Sequence, residues 1–295
     1  MLAVVALALP SGTASAPYDR GTQARSLAGR IVFARGVGRH SELYVATTQG
    51  RILRRLTRNG SSDYAPRWSP NGRRIVFVSD RDGDDEVYVM NAEGSDVRQL
   101  TRNRCPDFAP AWSPDGRRIA FARERRCGLP PEIYVIQANG RHARRLTRTR
   151  RWVINTTPTW SPDGHKIAFA RTGGDLLRLI YVMRADGRQV RRLTRKPVDA
   201  GMPAWSPDGR LIAFVSLRSR SNDIYVMNSD GTRVRRLTNN VRDDFGPRFS
   251  PTGKRLIFTR LRLPDAKTVD EIFTIDTDGK HERRVTSGFD PDWRA

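Results

Sequence analysis

The chain has 295 residues, of which 53 are Lys or Arg and 31 are Asp or Glu, so its formal charge is +22 at neutral pH. A hydrophobic fraction of 38% and a charged fraction of 28% are typical of a folded globular protein and not of a disordered or membrane protein. No apolar run reaches the 18 residues of a membrane-spanning helix, and 2 cysteines are too few for a disulfide framework or a four-cysteine zinc site.

The first residues differ in composition from the rest of the chain. Leu2 to Leu9 is apolar, residues 10–13 are polar or small, and Ala14-Ser15-Ala16 is typical of a signal-peptidase cleavage site. No basic residue precedes the apolar stretch, so a disordered N-terminus is the alternative. The pattern predicts a signal peptide over residues 1–16, a linker over 17–29, and a periplasmic or secreted protein.

From residue 30 onward the chain repeats one unit. The sequence Trp68-Ser69-Pro70-Asn71-Gly72 returns in close copies at residues 112–116, 160–164 and 205–209, and with phenylalanine at 249–253. Repeats of 40 to 50 residues are typical of β-propellers. Two further columns stay in register with it. They are the aromatic residues Tyr44, Tyr88, Tyr134, Tyr181, Tyr225 and Phe273, and the threonines Thr57, Thr101, Thr147, Thr194, Thr238 and Thr286.

Each unit predicts four short strands. Ser-Pro-Asp-Gly suits a tight hairpin turn, and apolar runs such as residues 74–78 and 86–90 follow it, rich in β-branched and aromatic residues. The last strand of the unit, residues 97–101 in the second copy, carries arginine. Four strands in each of six units predict an all-β fold, a six-bladed β-propeller.

The two ends of the chain predict ring closure. Residues 30–33 match the second strand of the other units, so the first unit lacks its first strand. Residues 289–293 match a first strand. The C-terminal strand is therefore expected to join the N-terminal blade, which leaves no unpaired sheet edge between the first and last blades.

The repeat resembles that of the TolB-type propeller family, also described as a WD-like or PD40 repeat. The resemblance lies in Pro-x-Trp-Ser-Pro-Asp-Gly, Ile-Tyr-Val-Met-Asn and Arg-Arg-Leu-Thr and covers residues 30–295. It implies a six-bladed propeller that binds protein partners. TolB proper has an α/β domain before its propeller, where this sequence has only residues 17–29. Similar propellers precede the hydrolase domain of prolyl-oligopeptidase-like enzymes, but no Gly-x-Ser-x-Gly motif occurs here.

The segments between units predict a binding site at the mouth of the central channel. Equivalent positions in a propeller converge there, and acidic residues beside aromatic ones in a basic protein predict a negative focus for a cationic peptide end or a divalent cation. The alternative is that the aspartates cap turns and the aromatic residues fill the blade interfaces. The residues are Asp63, Tyr64, Asp107, Phe108, Asn155, Asp244, Phe245 and Phe289.

Three other features have competing interpretations. Arginine pairs such as Arg54-Arg55 recur on the outermost strand, where they protect an exposed edge or attract anionic envelope polymers. Residues 79–86 are rich in aspartate but lack the spacing of an EF-hand. Cys105 and Cys127 are expected to share a face, where they form a disulfide or stay as free thiols.

These features favour a non-catalytic binding scaffold. We expect a monomer that presents its loops and channel mouth to a protein or an anionic cell-envelope partner, with no cofactor, no membrane span and no nucleic acid bound. The alternative is a propeller hydrolase or lyase in which the carboxylates at the channel mouth hold a metal ion.

Overall fold

The computed structural model describes residues 29–37, 40–126, 128–150, 152–173, 177–195, 199–218, 221–261 and 270–294. The predicted signal peptide, nearly all of the predicted linker and Cys127 lie outside these residues. Every regular element in the described part is a β-strand. In chain order the strands are β1 (Arg30–Val37), β2 (His40–Thr47), β3 (Ile52–Arg55), β4 (Asp63–Trp68), β5 (Arg74–Ser79), β6 (Glu86–Asn91), β7 (Arg98–Gln99), β8 (Asp107–Trp112), β9 (Arg118–Glu124), β10 (Pro131–Gln137), β11 (Arg144–Arg145), β12 (Ile154–Trp160), β13 (Lys166–Thr172), β14 (Arg178–Arg184), β15 (Arg191–Arg192), β16 (Ala200–Trp205), β17 (Leu211–Ser216), β18 (Asp223–Asn228), β19 (Arg235–Arg236), β20 (Asp244–Phe249), β21 (Arg255–Arg260), β22 (Glu271–Asp276), β23 (Arg283–Ser287) and β24 (Phe289–Trp293).

The strands form six four-stranded antiparallel sheets, so the predicted six-bladed propeller is confirmed. Blade 1 has the strand order β24-β1-β2-β3. Blades 2 to 6 contain β4–β7, β8–β11, β12–β15, β16–β19 and β20–β23, each with its first strand at the propeller axis. No helix among the described residues is long and apolar enough to span a membrane.

The C-terminal strand closes the ring, as the sequence predicted. Ile31 pairs with Trp293, and Ala34 pairs with Phe289, across β1 and β24. The Arg294 guanidinium then lies 4.9 Å from the centre of the Trp68 ring in blade 2. The last residues therefore complete blade 1 and also contact the blade beside it.

The core lies between neighbouring blades, because the middle strands of each blade are buried on both faces. Residues of β5 and β6 alternate in direction, yet nearly all of them are buried. Phe77 of β5 stacks on Tyr88 of β6 with ring centres 5.8 Å apart, and the same Phe–aromatic pair recurs in the other blades. Such offset aromatic pairs add to the stability that burial of their surface already provides.

The fourth strand is shorter than the sequence predicted. In blade 2 it covers only Arg98–Gln99, because the Thr101 hydroxyl accepts the main-chain N–H of Val87 at 2.9 Å in place of a further ladder bond. Equivalent threonines accept the same bond in blades 1, 3, 4 and 5. In blades 1 to 5 the outermost strand ends before this threonine, whereas in blade 6 β23 continues through Thr286 to Ser287.

Each innermost strand contains a β-bulge near its proline. In β4 the bulge lies between Tyr64 and Arg67, and Ala65 takes a left-handed φ of 49°. The bulge interrupts the alternation of side chains, so that both Ala65 and Arg67 line the space at the axis. The equivalent left-handed residues are Ala109, Thr157, Met202, Gly246 and Asp290.

Candidate functional site

The propeller has two faces with different connections. One face is marked in blade 2 by the paired residues Asp63, Ser79 and Glu86, which lie at the same end of β4, β5 and β6. The β5–β6 loop and the segments between blades lie at this end of the strands, which we call the loop face. The tight Ser-Pro-Asp-Gly turns lie at the other end, the turn face. There the Gly72 N–H donates to the Ser69 carbonyl at 2.8 Å, and Gly72 has a φ of 63° that favours glycine.

A cavity of about 360 Å³ lies at the axis. Its walls include Tyr64 and Phe108 on one side and the smaller residues Thr156 and Gly201, with Met202, on the other. A second cavity of about 230 Å³ lies nearer the turn face, beside the rings of Trp68, Trp112 and Trp293. Arg67 and Arg248 line both cavities, and so mark the level at which the two meet.

A ring of six residues defines this level, one from each innermost strand. Each is the residue between the proline and the Trp or Phe that ends the strand. On the adjacent blades 6, 1 and 2 the ring carries charged side chains, whereas blades 3, 4 and 5 carry small uncharged ones. In the order of blades 6, 1 to 5 the residues are Arg248, Asp292, Arg67, Ala111, Thr159 and Ala204.

The two ring arginines bond to main-chain carbonyls. Arg67 Nη1 donates to Pro66 O at 2.6 Å and to Asp290 O at 3.3 Å, and Arg248 Nη1 donates to Pro247 O at 2.9 Å. Arg67 Nε is buried without an acceptor. Neither guanidinium is ion-paired with a carboxylate of the described chain. Since each guanidinium carries five N–H donors, much of their capacity is unused.

The charges of the ring perturb one another. Burial, and then the charge of Arg67, lower the pKa of Arg248 to about 9, which still leaves it protonated at neutral pH. Burial raises the pKa of Asp292, despite the nearby charges of Arg67 and Arg248. The Asp292 carboxylate accepts the main-chain N–H of Trp68 at 2.8 Å. It holds the backbone of the next blade instead of pairing with either arginine.

The structure corrects the predicted cluster of open carboxylates at the channel mouth. Asp63, Asp107 and Asp244 are completely buried. Asp63 Oδ1 accepts a hydrogen bond from Arg81 Nη2 at 2.9 Å. Asp107 and Asp244 each accept hydrogen bonds from two guanidinium nitrogens, those of Arg123 and Arg260 respectively. Asn155, equally buried, accepts Arg171 Nε at 2.7 Å. Each charge is neutralised by an arginine of the same blade, so these aspartates do not form a negative focus.

All four predicted aromatic residues pack against a core between blades, and two of them also reach the axis. Tyr64 packs against the core between blades 1 and 2, Phe108 against the core between blades 3 and 4, and both line the axial cavity. Phe245 packs against the core between blades 5 and 6, and Phe289 against the core between blades 1 and 2. For Phe245 and Phe289, filling of the blade interface was the correct alternative. A ligand-binding role for Tyr64 and Phe108 stays a prediction.

The arginine pairs connect blades and buried carboxylates. The second arginine of a pair contacts a buried acid of its own blade, as Arg55 does with Glu42 at 2.9 Å, and Arg145, Arg236 and Arg284 do the same. The first arginine reaches a main-chain carbonyl of the next blade, as Arg54 does with Glu93 at 3.0 Å, and Arg144, Arg235 and Arg283 do likewise. These pairs therefore clamp the blades together.

Comparison with known proteins identifies the repeat. The TolB beta propeller domain family matches residues 24–105 and 104–194, and the family of the tricorn protease N-terminal beta propeller domain matches residues 173–290. This chain belongs to the TolB β-propeller family. No curated protein sequence matches it.

Solved structures show the same fold. TolB from Acinetobacter baumannii is 23% identical with a TM-score of 0.77, over 90% of this chain and 66% of that one. A putative TolB from Agrobacterium tumefaciens is 23% identical with a TM-score of 0.71, over 87% of both chains. A chain of the nidogen/laminin complex is 13% identical with a TM-score of 0.70, over 89% of this chain and 97% of that one. This TolB-type propeller thus spans slightly less than two thirds of the Acinetobacter TolB.

Sequence reasoning missed Arg67, Arg248 and Asp292 of this TolB-type propeller. They occupy the variable middle position of the otherwise regular Pro-x-Trp motif, where the six units carry Arg, Ala, Thr, Ala, Arg and Asp in chain order. That variability at a fixed place in the repeat was the available signal. The aspartates four positions earlier recur in three units, so the sequence pattern favoured them as the site residues instead.

The cysteine and metal predictions have different outcomes in this TolB-type propeller. Cys105 is disulfide-bonded, and because Cys127 lies outside the described residues, their pairing stays a prediction. In the aspartate-rich loop 79–86, Asp80 Oδ1 accepts the main-chain N–H of Ser62 at 2.7 Å and so orders the loop. Among the described residues no three His, Cys, Asp or Glu side chains are grouped as a metal site.

Glu86 is a buried acid of this TolB-type propeller that has no arginine of the outermost strand beside it. Gln99 stands where Arg55 or Arg145 pairs with the equivalent acid, and Glu86 accepts the main-chain and side-chain N–H groups of Asn103. Burial, together with the charge of Asp107, raises the pKa of Glu86 to about 8. The folded protein then holds a proton that the unfolded chain releases above its ordinary pKa, so the free energy of unfolding falls as pH rises from about 4.5 to about 8.

We expect Gln99→Arg to remove much of this pH dependence. A guanidinium beside Glu86 stabilises its charged form, so the melting temperature at pH 8 should rise by roughly 5 °C, or about 2 kcal/mol, and change little at pH 5. Calorimetry at both pH values measures this. Gln137→Arg is the control, because Gln137 is exposed at the end of β10. An equal gain at pH 5 and pH 8 would contradict the assignment to Glu86.

Proposed function

We propose that this TolB-type propeller is a non-catalytic, monomeric binding scaffold of the cell envelope or extracellular space, and that it binds a protein partner across its loop face and axial cavity. The formal charge of +22 favours a partner surface of negative charge. The signal-peptide pattern of residues 1–16 supports export.

Trp152 carries the proposal. Its side chain is 74% exposed on the loop face, in the segment between β11 and β12, and its φ of 75° is one that bulky residues rarely adopt. Val241, 85% exposed, and Leu217, 44% exposed, lie on the same face. Exposed tryptophan is costly in water and is enriched among the residues that dominate binding energy at protein interfaces.

The geometry favours the scaffold over the metal-dependent enzyme. That alternative needs carboxylates free to hold a metal ion at the channel mouth. Asp63, Asp107 and Asp244 are each engaged by an arginine instead. Freeing Asp63 or Asp107 would leave the partly buried guanidinium of Arg81 or Arg123 without its carboxylate partner, which is unfavourable.

Site-specific photo-crosslinking tests the scaffold function. A photoreactive phenylalanine analogue at position 152 of the full chain should capture a defined partner in the native cell envelope, and Trp152→Ala should reduce co-purification of that partner at least about tenfold. The control is the analogue at Val190, which is 40% exposed on the turn face. Equal capture from both positions, or none from position 152, would refute binding through the loop face.

A further inference from the structure

We infer that the axial cavity binds a carboxylate group of a peptide, held by the guanidinium groups of Arg67 and Arg248. The inference rests on the proposed function and names the chemistry that the cavity recognises. It reverses the charge expected from the sequence, which predicted a cationic peptide end or a divalent cation at this end of the channel.

The unused donors of the two arginines carry the argument. Both side chains line the axial cavity, and the acceptors they do have are the neutral main-chain carbonyls of Pro66, Asp290 and Pro247. A guanidinium in a partly desolvated site binds a carboxylate through strong charge-assisted hydrogen bonds. The other arginine of the cavity, Arg178, already has such a partner, because it binds both oxygens of Asp199 at 2.9 Å.

The remaining charges at the site favour a single negative charge on the ligand. Asp292 lies in the ring between the two arginines, but its Oδ2 accepts the Trp68 N–H at 2.8 Å, and burial raises the pKa of its carboxyl group despite the nearby charges of Arg67 and Arg248. Asp290 also lines the cavity and opposes a second negative charge. A carboxylate therefore fits better than a phosphate dianion.

The size and walls of the cavity favour one end or one side chain of a peptide. About 360 Å³ is at the lower limit for ligand pockets, so the cavity admits only a few groups of a larger partner. Tyr64, Phe108 and Met202 supply apolar contact beside the arginines. Trp152 and Val241, exposed on the loop face, lie outside the cavity, where the rest of a protein partner would make contact.

Peptide pools test the inference. An equimolar pool of N-acetylated tripeptides with free C-terminal carboxylates, and the same pool with C-terminal amides, are passed over the immobilised full chain and quantified by mass spectrometry. Peptides with a carboxylate should be retained at least about tenfold better than those with none. If amidated peptides that contain Asp or Glu are retained, the bound carboxylate is that of a side chain. If only peptides of the pool with free C-termini are retained, the bound carboxylate is the C-terminus.

The variants are chosen to fold. Arg67→Ala with Arg248→Ala should abolish this preference, and the ring already holds alanine at positions 111 and 204. Arg117→Ala with Arg210→Ala removes the same charge from exposed turns of the turn face and should leave the preference unchanged. Asp290→Asn should raise retention about threefold, because it removes a repulsive charge, and asparagine tolerates the left-handed backbone of position 290.

Several results would overturn the inference. These are equal retention of peptides with and without a carboxylate, or the same loss of preference in the turn-face control. Its failure is distinguishable from failure of the proposed function. If the Arg67→Ala, Arg248→Ala variant keeps the peptide preference of the parent chain while position 152 still crosslinks the partner, the scaffold function is supported and the carboxylate site is refuted.

Discussion

Removal of residues 288–295 is expected to abolish the cooperative unfolding of the propeller. The deletion takes away β24, which pairs with β1 through Ile31 and Ala34, and exposes the inner edge of blade 1. It also removes Arg294 from the Trp68 ring of blade 2. Lost burial of Phe289 and Trp293, with the lost ladder bonds, should cost about 5 kcal/mol or more and lower the melting temperature by at least about 10 °C.

Calorimetry and circular dichroism would measure this effect. A synthetic peptide of residues 288–295 added in trans should restore part of the transition, whereas a scrambled peptide of the same composition should not. Arg294→Ala alone should cost much less, because it leaves β24 paired with β1. A truncated chain that melts like the full chain would refute closure by β24.

Arg260→Ala is expected to be among the most destabilising single substitutions in the chain. The Arg260 side chain is only 4% exposed, binds both oxygens of the completely buried Asp244 and also pairs with Glu282. Its guanidinium lies 4.4 Å from the centre of the Phe273 ring. Removal of one partner of a buried ion pair leaves an uncompensated charge, so we expect a loss of about 3–5 kcal/mol.

Arg255→Ala is the matched control on the same strand. Arg255 pairs with Asp276 at 2.8 Å, but its side chain is 53% exposed, so its removal should cost at most about 1 kcal/mol. The double variant Asp244→Ala, Arg260→Ala should lose less than the sum of its single variants, because neither charge is then left alone. Urea denaturation measures all four proteins. Equal losses for Arg260→Ala and Arg255→Ala would contradict a buried pair.

The sequence alone determined the blades, their number and the closure of the ring. The blades and their number follow from a pattern that is local and repeated, with apolar strands and Ser-Pro-Asp-Gly turns in each unit. Closure follows because the first unit lacks a first strand and the C-terminal residues supply one. Each copy confirms the register of the others, so a weak signal in one unit, such as Phe249 in place of tryptophan, does not alter the assignment.

Only the tertiary structure decided where the charges lie. Asp107 and Arg123 are 16 positions apart, and the sequence does not reveal that adjacent strands bring them together as a buried pair. The bulge at Ala65 breaks the alternation of side chains that a strand pattern assumes. Arg67 and Arg248 meet at the axis because ring closure places blades 6, 1 and 2 side by side. The charge of a propeller channel depends on strand register and closure, which are properties of the assembled ring and not of any one repeat.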